Sequence, residues 1–435
     1  MLKQFIKLML FLSPLFYITQ SFADEVGSTE LAKPVLDSGD TAWMLVSTAF
    51  VLLMTIPGLA LFYGGMVRKK NVLATMMHSF AICCLVSVLW FVVGFSVSFS
   101  GDGAYFGNFE QMFLRGINLN TVSKHLVTIP EYLFITFQMA FAIITPALVT
   151  GAFAERIKFS AMLWFMGLWS LLVYAPICHW IWGGGFLGAD GVLDFAGGTV
   201  IHVNAGIAGL VTAIILGRRI GYGSVNMAPH NLTLSMIGAA LLWIGWFGFN
   251  AGSAGAANGL AALAMLNTQI ATAAAALGWI FVEWAIAKKP SVLGLVSGAV
   301  AGLVAITPAA GFVDPTGALF IGIIAGPVCY YASVFVKRMF GYDDALDAFG
   351  VHGVGGIVGA ILTAVFASSS VINNAAVFDK ISVTNQIYGL VVSMAYSAIV
   401  TAIILMVLKK LIGLRVDKQD EIEGLDISQH GEVIQ

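Results

Sequence analysis

The sequence predicts an all-α polytopic membrane protein with eleven transmembrane helices. Three observations lead to this prediction: charged residues are scarce, long apolar stretches recur, and basic residues gather in alternate loops. Of the 435 residues, 59 % are hydrophobic and 10 % are charged. A soluble protein has about a quarter charged residues. One tenth is too few to cover a water-exposed surface, so we expect the chain to lie in a bilayer.

The first 23 residues are expected to form a cleavable signal peptide. Two lysines precede the apolar run 8–18, which is too short to cross about 30 Å of hydrocarbon. Ser21 and Ala23 provide the small side chains that a signal peptidase requires. The alternative is that this segment is a first membrane anchor. Cleavage would leave a mature chain whose N-terminus lies outside the cell.

The later apolar stretches are long enough to span the membrane as helices, which satisfy their own backbone hydrogen bonds in lipid. After an exterior N-terminus, fifteen basic residues fall in inner loops and four in outer loops. This asymmetry predicts a cytoplasmic C-terminus. We expect a transmembrane domain at 24–412 and a cytoplasmic tail at 413–435. The eleven expected spans are 42–65, 72–99, 131–154, 159–180, 197–217, 231–252, 259–286, 291–310, 317–336, 350–368 and 385–412.

An odd number of helices suggests an inverted 5+5 repeat with one extra helix. The fifth span carries His202, and the tenth carries His352, 150 residues later. Asp194 precedes the fifth span, and Asp347 precedes the tenth. Because matching positions of inverted halves meet near the middle of the bilayer, we expect the two histidines to face each other.

The two histidines are the strongest candidates for a functional site. A polar side chain in a membrane helix needs a partner and often marks a transport pathway. Two facing imidazoles can share a proton, because each neutral ring has one donor and one acceptor. The alternative is a structural hydrogen bond between two helices. No Cys, Asp or Glu lies within one turn of either ring, so a third metal ligand is missing nearby.

Aromatic residues gather at the expected outer ends of several helices. Phe137 and Phe141 are one helical turn apart, Trp182 lies just beyond the fourth span at an outer helix end, and Phe249 and Ser253 lie at the close of the sixth. Ring faces attract a cation without a fixed negative charge, and the serine hydroxyl can accept a hydrogen bond. These residues therefore suit a cation site, although such phenylalanines can also face lipid or pack between helices.

Asp194 has two compatible interpretations. Its carboxylate can cap the fifth helix by accepting N–H bonds from Gly197 or Gly198. Its negative charge can also favour cations at the outer entrance without touching them.

Other classes of function are excluded. The net charge is −2 and no basic run exceeds the three residues Arg68–Lys70, which excludes nucleic-acid binding through a basic face. No protease, hydrolase or phosphate-binding motif is present. We therefore expect neither an enzyme nor a cofactor. The cysteines have no metal-type spacing and are expected to be packing residues: Cys83, Cys84, Cys178 and Cys329.

Several long motifs allow a comparison with known families. They are Thr55–Gly58 with Leu61–Gly65, Gly151–Arg156, Asp194–Gly198 followed by His202, Gly245–Gly255, and Phe349–Gly353. Through these motifs the sequence resembles the ammonium transporter (Amt/Mep/Rh) family over nearly all of the mature chain. It resembles the bacterial Amt branch most, because Trp182 completes an outer site that Rh proteins are expected to lack.

The resemblance implies a homotrimer in which each eleven-helix subunit has its own pore for ammonium or methylammonium. It assigns ammonium binding to Phe141, Trp182, Phe249 and Ser253, with Phe141 and Phe249 also stacked as a gate. It assigns the pore twin histidines to His202 and His352, neighbouring pore positions to Phe137 and Gln138, and support of recruitment to Asp194. His78 departs from the family, whose members carry a neutral polar residue there.

The resemblance also implies a mechanism and a partner. A bare cation at the bilayer centre costs at least about 3 kcal/mol, and ammonium can avoid this cost by releasing a proton, whereas potassium cannot. Electroneutral and electrogenic transport both stay open. The tail matches bacterial relatives in which it cooperates with a PII signalling protein. An ammonium sensor that signals through this tail is the alternative function.

Overall fold

The computed structural model describes residues 35–372 and 374–434. The expected signal peptide at 1–23 lies outside the described residues. Within them all regular structure is helical, and the only strand-like contacts are three isolated bridge pairs. The predicted all-α membrane architecture is confirmed.

In the described part of the chain, ten helices are long and apolar enough to cross a membrane, and an eleventh apolar helix is shorter. The shorter one, α8, ends at Ile306 rather than near residue 310, because Pro308 lacks the N–H that a helix interior needs. The helices are α1 (Ser38–Met66), α2 (Lys69–Phe99), α3 (Glu131–Phe153), α4 (Phe159–Ala189), α5 (Gly198–Leu216), α6 (Leu232–Gly252), α7 (Gly259–Ala287), α8 (Val292–Ile306), α9 (Pro315–Phe340), α10 (Ala348–Phe366) and α11 (Val383–Leu411).

Helices α5 and α10 begin in the same way. Each opens with a wide turn of π-helix, at Gly198–Val203 and at Ala348–Gly353, so the two turns are offset by the same 150 residues as the histidines. The helices touch closely where Gly206 lies against Gly353, since a Cβ on Gly206 would lie 2.3 Å from the backbone of Gly353. This contact brings the matching halves of the repeat together in the middle of the bundle.

The polar tail forms two short helices, α12 (Lys418–Glu423) and α13 (Leu425–His430), and packs against the helix bundle. The Asp426 carboxylate accepts hydrogen bonds from the N–H groups of Leu73 and Ala74, in the first turn of α2. We call the side of the bundle that holds this tail the tail side. The opposite side, which holds Trp182 and Ser253, is called the tryptophan side.

Candidate functional site in the pore

The two predicted histidines meet inside the bundle. Nδ1 of His202 lies 3.3 Å from Nδ1 of His352, and the rings are nearly parallel at 20°. His202 is fully buried and His352 is 3 % exposed. Since each neutral ring has one donor and one acceptor, the pair can share one N–H between the two Nδ1 atoms. Nε2 of His202 is buried and has no hydrogen-bond partner among the described residues, so it is free to face a solute.

Trp246 lies against the histidine pair, and sequence reasoning missed it. Its ring stacks on His202 with centroids 5.3 Å apart and an interplanar angle of 18°. Its Nε1 donates to Oγ1 of Thr307 at 2.8 Å, which fixes the ring. Trp246 precedes Phe249 by three residues and therefore shares its face of α6. This helical spacing is the signal that could have identified it.

A chain of aromatic contacts runs from the histidines to the tryptophan side. Phe249 stacks on His202 at 5.9 Å, and Phe141 meets Phe249 at 4.5 Å. Phe137 and Trp182 both contact Phe141, at 4.7 Å and 6.0 Å. The rings of Phe141 and Phe249 are inclined at 71° and meet edge to face. The two rings that the resemblance describes as stacked are in contact, and they meet by an edge rather than face to face.

The polar candidates on the tryptophan side are less deeply buried. Ser253 lies one turn beyond Phe249, and its Oγ donates to the Phe249 carbonyl oxygen at 2.8 Å. Because the hydroxyl proton is used within the helix, the oxygen lone pairs are left to accept from a ligand. Gln138 is half-buried, and its Oε1 has no partner among the described residues.

Asp194 caps α5 and supports the tryptophan side. Its two carboxylate oxygens accept hydrogen bonds from four consecutive N–H groups, those of residues 197–200, at 2.6 to 2.9 Å. Its main-chain oxygen accepts from Trp182 Nε1 at 2.8 Å. Burial raises the pKa of this carboxyl to about 6, against the opposing effect of the four N–H bonds. The four N–H bonds stabilise the ionised carboxylate, which places a negative charge beside the aromatic chain.

The counterpart of Asp194 in the second half is Asp344, and not Asp347, which the sequence places directly before the tenth span. Asp344 lies 150 residues after Asp194 and accepts from the first two N–H groups of α10, at 3.1 and 2.8 Å. Asp347 has a left-handed backbone, at φ 59°, and pairs with Lys337. Asp347 is nearer to α10 along the chain, but the turn before the helix directs the carboxylate of Asp344 to the helix end instead.

His78 does not join the pore contacts. It is buried on the tail side, with its ring 6.1 Å from Phe153 and 6.2 Å from Phe159. The ring of the tail residue His430 lies against the same Phe159, at 5.1 Å.

An aromatic chain that ends at a buried histidine pair, inside an eleven-helix inverted repeat, matches what the motifs imply. The model of the Ammonium Transporter Family matches residues 42–434. The chain belongs to this family. Its members are transporters, so the protein is a multi-pass membrane transporter rather than an enzyme.

Curated relatives in the Ammonium Transporter Family are similar over almost their whole length. An ammonium transporter of Aquifex aeolicus is 52 % identical over 91 % of this chain and 93 % of that protein. An ammonium transporter of Bacillus subtilis is 48 % identical over 91 % of this chain and 98 % of that protein.

Solved structures of the same family share the fold. The crystal structure of Candida albicans Mep2 has a TM-score of 0.82 and 34 % identity, over 92 % of this chain and 90 % of that chain. A structure described as a sensor Amt protein has a TM-score of 0.84 and 30 % identity, over 90 % of this chain and 98 % of that chain.

Proposed function

We propose that the protein collects ammonium on the tryptophan side, removes its proton and conducts ammonia past the histidine pair. The observation that carries this proposal is the unbroken series of contacts from Trp182 through Phe141 and Phe249 to His202 and His352. In this arrangement, the site that attracts the cation lies next to a histidine-lined passage from which water is excluded.

Recruitment uses three kinds of interaction. The faces of Trp182 and Phe141 attract the cation through their π electrons. The Ser253 oxygen accepts an N–H bond, because its own proton is donated to the helix backbone. The buried charge of Asp194 adds a field that favours any cation at this end. Together they supply attraction without an acidic group in direct contact with ammonium, which would bind it too tightly to release it.

Selectivity follows from the cost of a bare charge inside the bundle. The rings of Phe141 and Phe249 close the path edge to face, so an ion must lose its water to pass. Ammonium removes most of the penalty by leaving its proton behind, and the neutral molecule can then hydrogen-bond to the free Nε2 of His202. Potassium has no proton to lose and stays outside.

The histidine pair gives the released proton a route separate from that of ammonia. The 3.3 Å contact between the two Nδ1 atoms allows a proton to pass from one ring to the other. Transport is electrogenic if this proton also crosses the membrane, and electroneutral if it returns to the side of origin. We favour electrogenic transport, because this contact joins His202 in the first half of the repeat to His352 in the second half, and the two halves have opposite orientations in the membrane.

We also infer the assembly and orientation. Apolar side chains are exposed along α7 and α9, among them Leu277, Phe281, Phe320 and Ile324, and these faces suit contacts within a trimer. The basic inner loops place the tail side in the cytoplasm of a bacterial inner membrane. The docked tail then presents its charged surface to a PII signalling protein. In a pull-down, the purified wild-type protein should retain the PII protein, whereas a chain stopped after Leu414 should not.

A sensor role is the second candidate. The tail packs on the first turn of α2 through Asp426, so a change in the bundle could reach the cytoplasmic surface. The high TM-score to a structure described as a sensor Amt protein also favours this role. A sensor would bind ammonium but conduct little of it.

The deciding experiment measures uptake of labelled methylammonium into proteoliposomes together with membrane current. We expect uptake with current on addition of ammonium and no current with potassium. A His78→Gln variant is the matched control, because it removes a buried histidine outside the aromatic chain and should keep uptake. Binding without uptake would favour the sensor, and uptake of potassium would contradict the proposed mechanism.

A further inference from the structure

A buried histidine, His179, lies one turn before Trp182 and makes none of the pore contacts described above. It is fully buried in the last turn of the helical stretch Ala175–Trp182. Its Nδ1 lies 3.0 Å from the main-chain oxygen of Ser98, and its Nε2 lies in hydrogen-bonding contact with the main-chain oxygen of Gly103. Both ring nitrogens therefore face atoms that can only accept hydrogen bonds.

This geometry determines which form of the ring fits. A neutral imidazole has a single N–H, so one of the two carbonyl oxygens would face a lone pair on nitrogen. Turning the ring by half a turn would place carbon atoms where the nitrogens are and would lose both hydrogen bonds. The imidazolium form donates to both oxygens, and bonds from a charged donor are stronger. The C-terminal end of a helix, where the ring lies, also favours a positive charge.

The main chain around the ring is shaped for this close approach. A Cβ on Gly183 would lie 2.0 Å from the Ser98 oxygen, so glycine is needed there. The next residue, Trp180, donates from Nε1 to the Tyr105 oxygen at 2.7 Å. The segment 98–105 therefore wraps the end of the helix and directs three carbonyl oxygens at two consecutive side chains, those of residues 179 and 180.

We infer that His179 is a positioning residue for ammonium recruitment. As an imidazolium it binds the end of the Ala175–Trp182 helix to the segment 98–105, and it thereby holds the Trp182 ring against Phe141 and the Asp194 oxygen. The ring itself does not touch the aromatic chain, so it acts through the helix that carries Trp182. This inference rests on the proposed function of the tryptophan side.

The first test reads the protonation of the ring in the wild-type protein. Cys178–His179 is the only Cys-His pair in the sequence, so 13C-carbonyl cysteine with 15N-histidine labelling identifies this residue by NMR in nanodiscs. We expect both ring nitrogens to carry a proton at neutral pH. A ring with a single proton would overturn the inference, and this measurement requires neither a variant nor transport activity.

The second test separates positioning from general stability. His179→Asn retains a donor near Ser98, and His179→Gln retains one near Gly103, so each variant loses the other bond. We expect the half-saturation concentration for methylammonium uptake to rise about tenfold, with the maximal rate nearly unchanged, because one hydrogen bond from a charged donor is lost. His125→Gln, which removes a neighbouring half-buried histidine, is the matched control and should leave half-saturation unchanged.

The outcomes distinguish this inference from the proposed function. If wild type takes up no methylammonium, the proposed function fails, while the NMR measurement still decides the charge of His179. If wild type transports and both folded variants keep the wild-type half-saturation concentration, the positioning role is overturned. If both variants lose maximal rate and thermal stability but keep half-saturation, the ring is only structural and the inference is again overturned.

Discussion

Asp344 caps α10 on the tail side as Asp194 caps α5 on the tryptophan side, and the two residues are 150 positions apart. Both carboxylates are nearly fully buried, and burial raises the pKa of each to about 6. Each half of the repeat thus has a buried carboxylate that caps a helix, and the two caps lie on opposite sides of the bundle. Only the first lies beside the aromatic chain, through its bond with Trp182.

This relationship predicts different effects of the same substitution at the two sites. Asp194→Asn keeps an acceptor for the helix N–H groups but removes the charge, so we expect the half-saturation concentration to rise about fivefold, equivalent to about 1 kcal/mol. Asp344→Asn is the matched control and should leave it unchanged. The half-saturation concentrations of both variants are measured from concentration-dependent uptake into vesicles of one orientation. An equal rise in the two variants would contradict a role for Asp194 in recruitment.

Substitutions at the tryptophan side should weaken apparent affinity more than they slow transport. Trp182→Leu removes a ring face and Ser253→Ala removes an acceptor, but neither residue contacts the histidine pair. We expect a several-fold higher half-saturation concentration and a maximal rate close to that of wild type. Trp164→Leu, at a 61 % exposed tryptophan of the same helix, is the control. Unchanged half-saturation in both variants would exclude the site.

The histidine pair should behave as one unit. Because the two rings share a contact between their Nδ1 atoms, His202→Gln and His352→Gln should each abolish most of the proton-coupled current while the protein still assembles. The double variant should be little worse than either single one, which a double-mutant cycle measures. Stable variants that keep wild-type ammonium current and still reject potassium would show that the pair is structural.

The buried ion pairs on the tail side should make the fold sensitive to acid. Arg219 lies 3.1 Å from the Glu155 carboxylate and 2.8 Å from that of Asp343. Burial by itself would raise the pKa of both acids, but Arg219, joined at Glu155 by Arg68, outweighs it and holds each pKa below its ordinary value. Since the acids titrate lower in the folded protein, their contribution is complete above their ordinary pKa and is lost as pH falls through the folded values.

Thermal unfolding in detergent should therefore show wild-type stability falling as the pH drops below about 4. Arg219→Gln leaves the buried Asp343 carboxylate without its ion-pair partner, while Glu155 keeps Arg68, and should cost about 3 kcal/mol at neutral pH. The same variant should lose less on acidification, because Asp343 no longer titrates at a depressed value. Arg218→Gln, at the exposed neighbouring position, should follow wild type. If the stability of Arg219→Gln falls with pH in parallel with that of wild type, these ion pairs are not the cause of the acid sensitivity.

Docking of the tail should depend on one glycine. Gly424 has a left-handed φ of 115°, and a Cβ there would lie 2.6 Å from the backbone of Lys70. Gly424→Ala should therefore release α12 and α13, and limited proteolysis should then cleave the tail about tenfold faster, as the loss of about 1.4 kcal/mol would cause. Gly431→Ala is the control, since that position also has positive φ but faces open space. Equal cleavage of both variants would mean that the Lys70 contact does not hold the tail.

The membrane architecture, the two histidines and the aromatic candidates could all be predicted from the order of the amino acids. These features depend on local properties: the length of an apolar run, the charge of a loop, and the side chains on one helical face. Such properties are the same before and after the helices pack, so residues such as Phe141 and His352 can be recognised without coordinates.

The folded structure was needed to reveal which residues meet across helices. It showed that Asp344, and not Asp347, caps α10, that Trp246 stacks on His202, and that Phe141 and Phe249 meet edge to face. It also showed the tail docked on α2 and His179 between two carbonyl oxygens. These contacts join segments far apart in the chain, and they depend on turn conformations and helix rotations that packing sets and that no local pattern encodes.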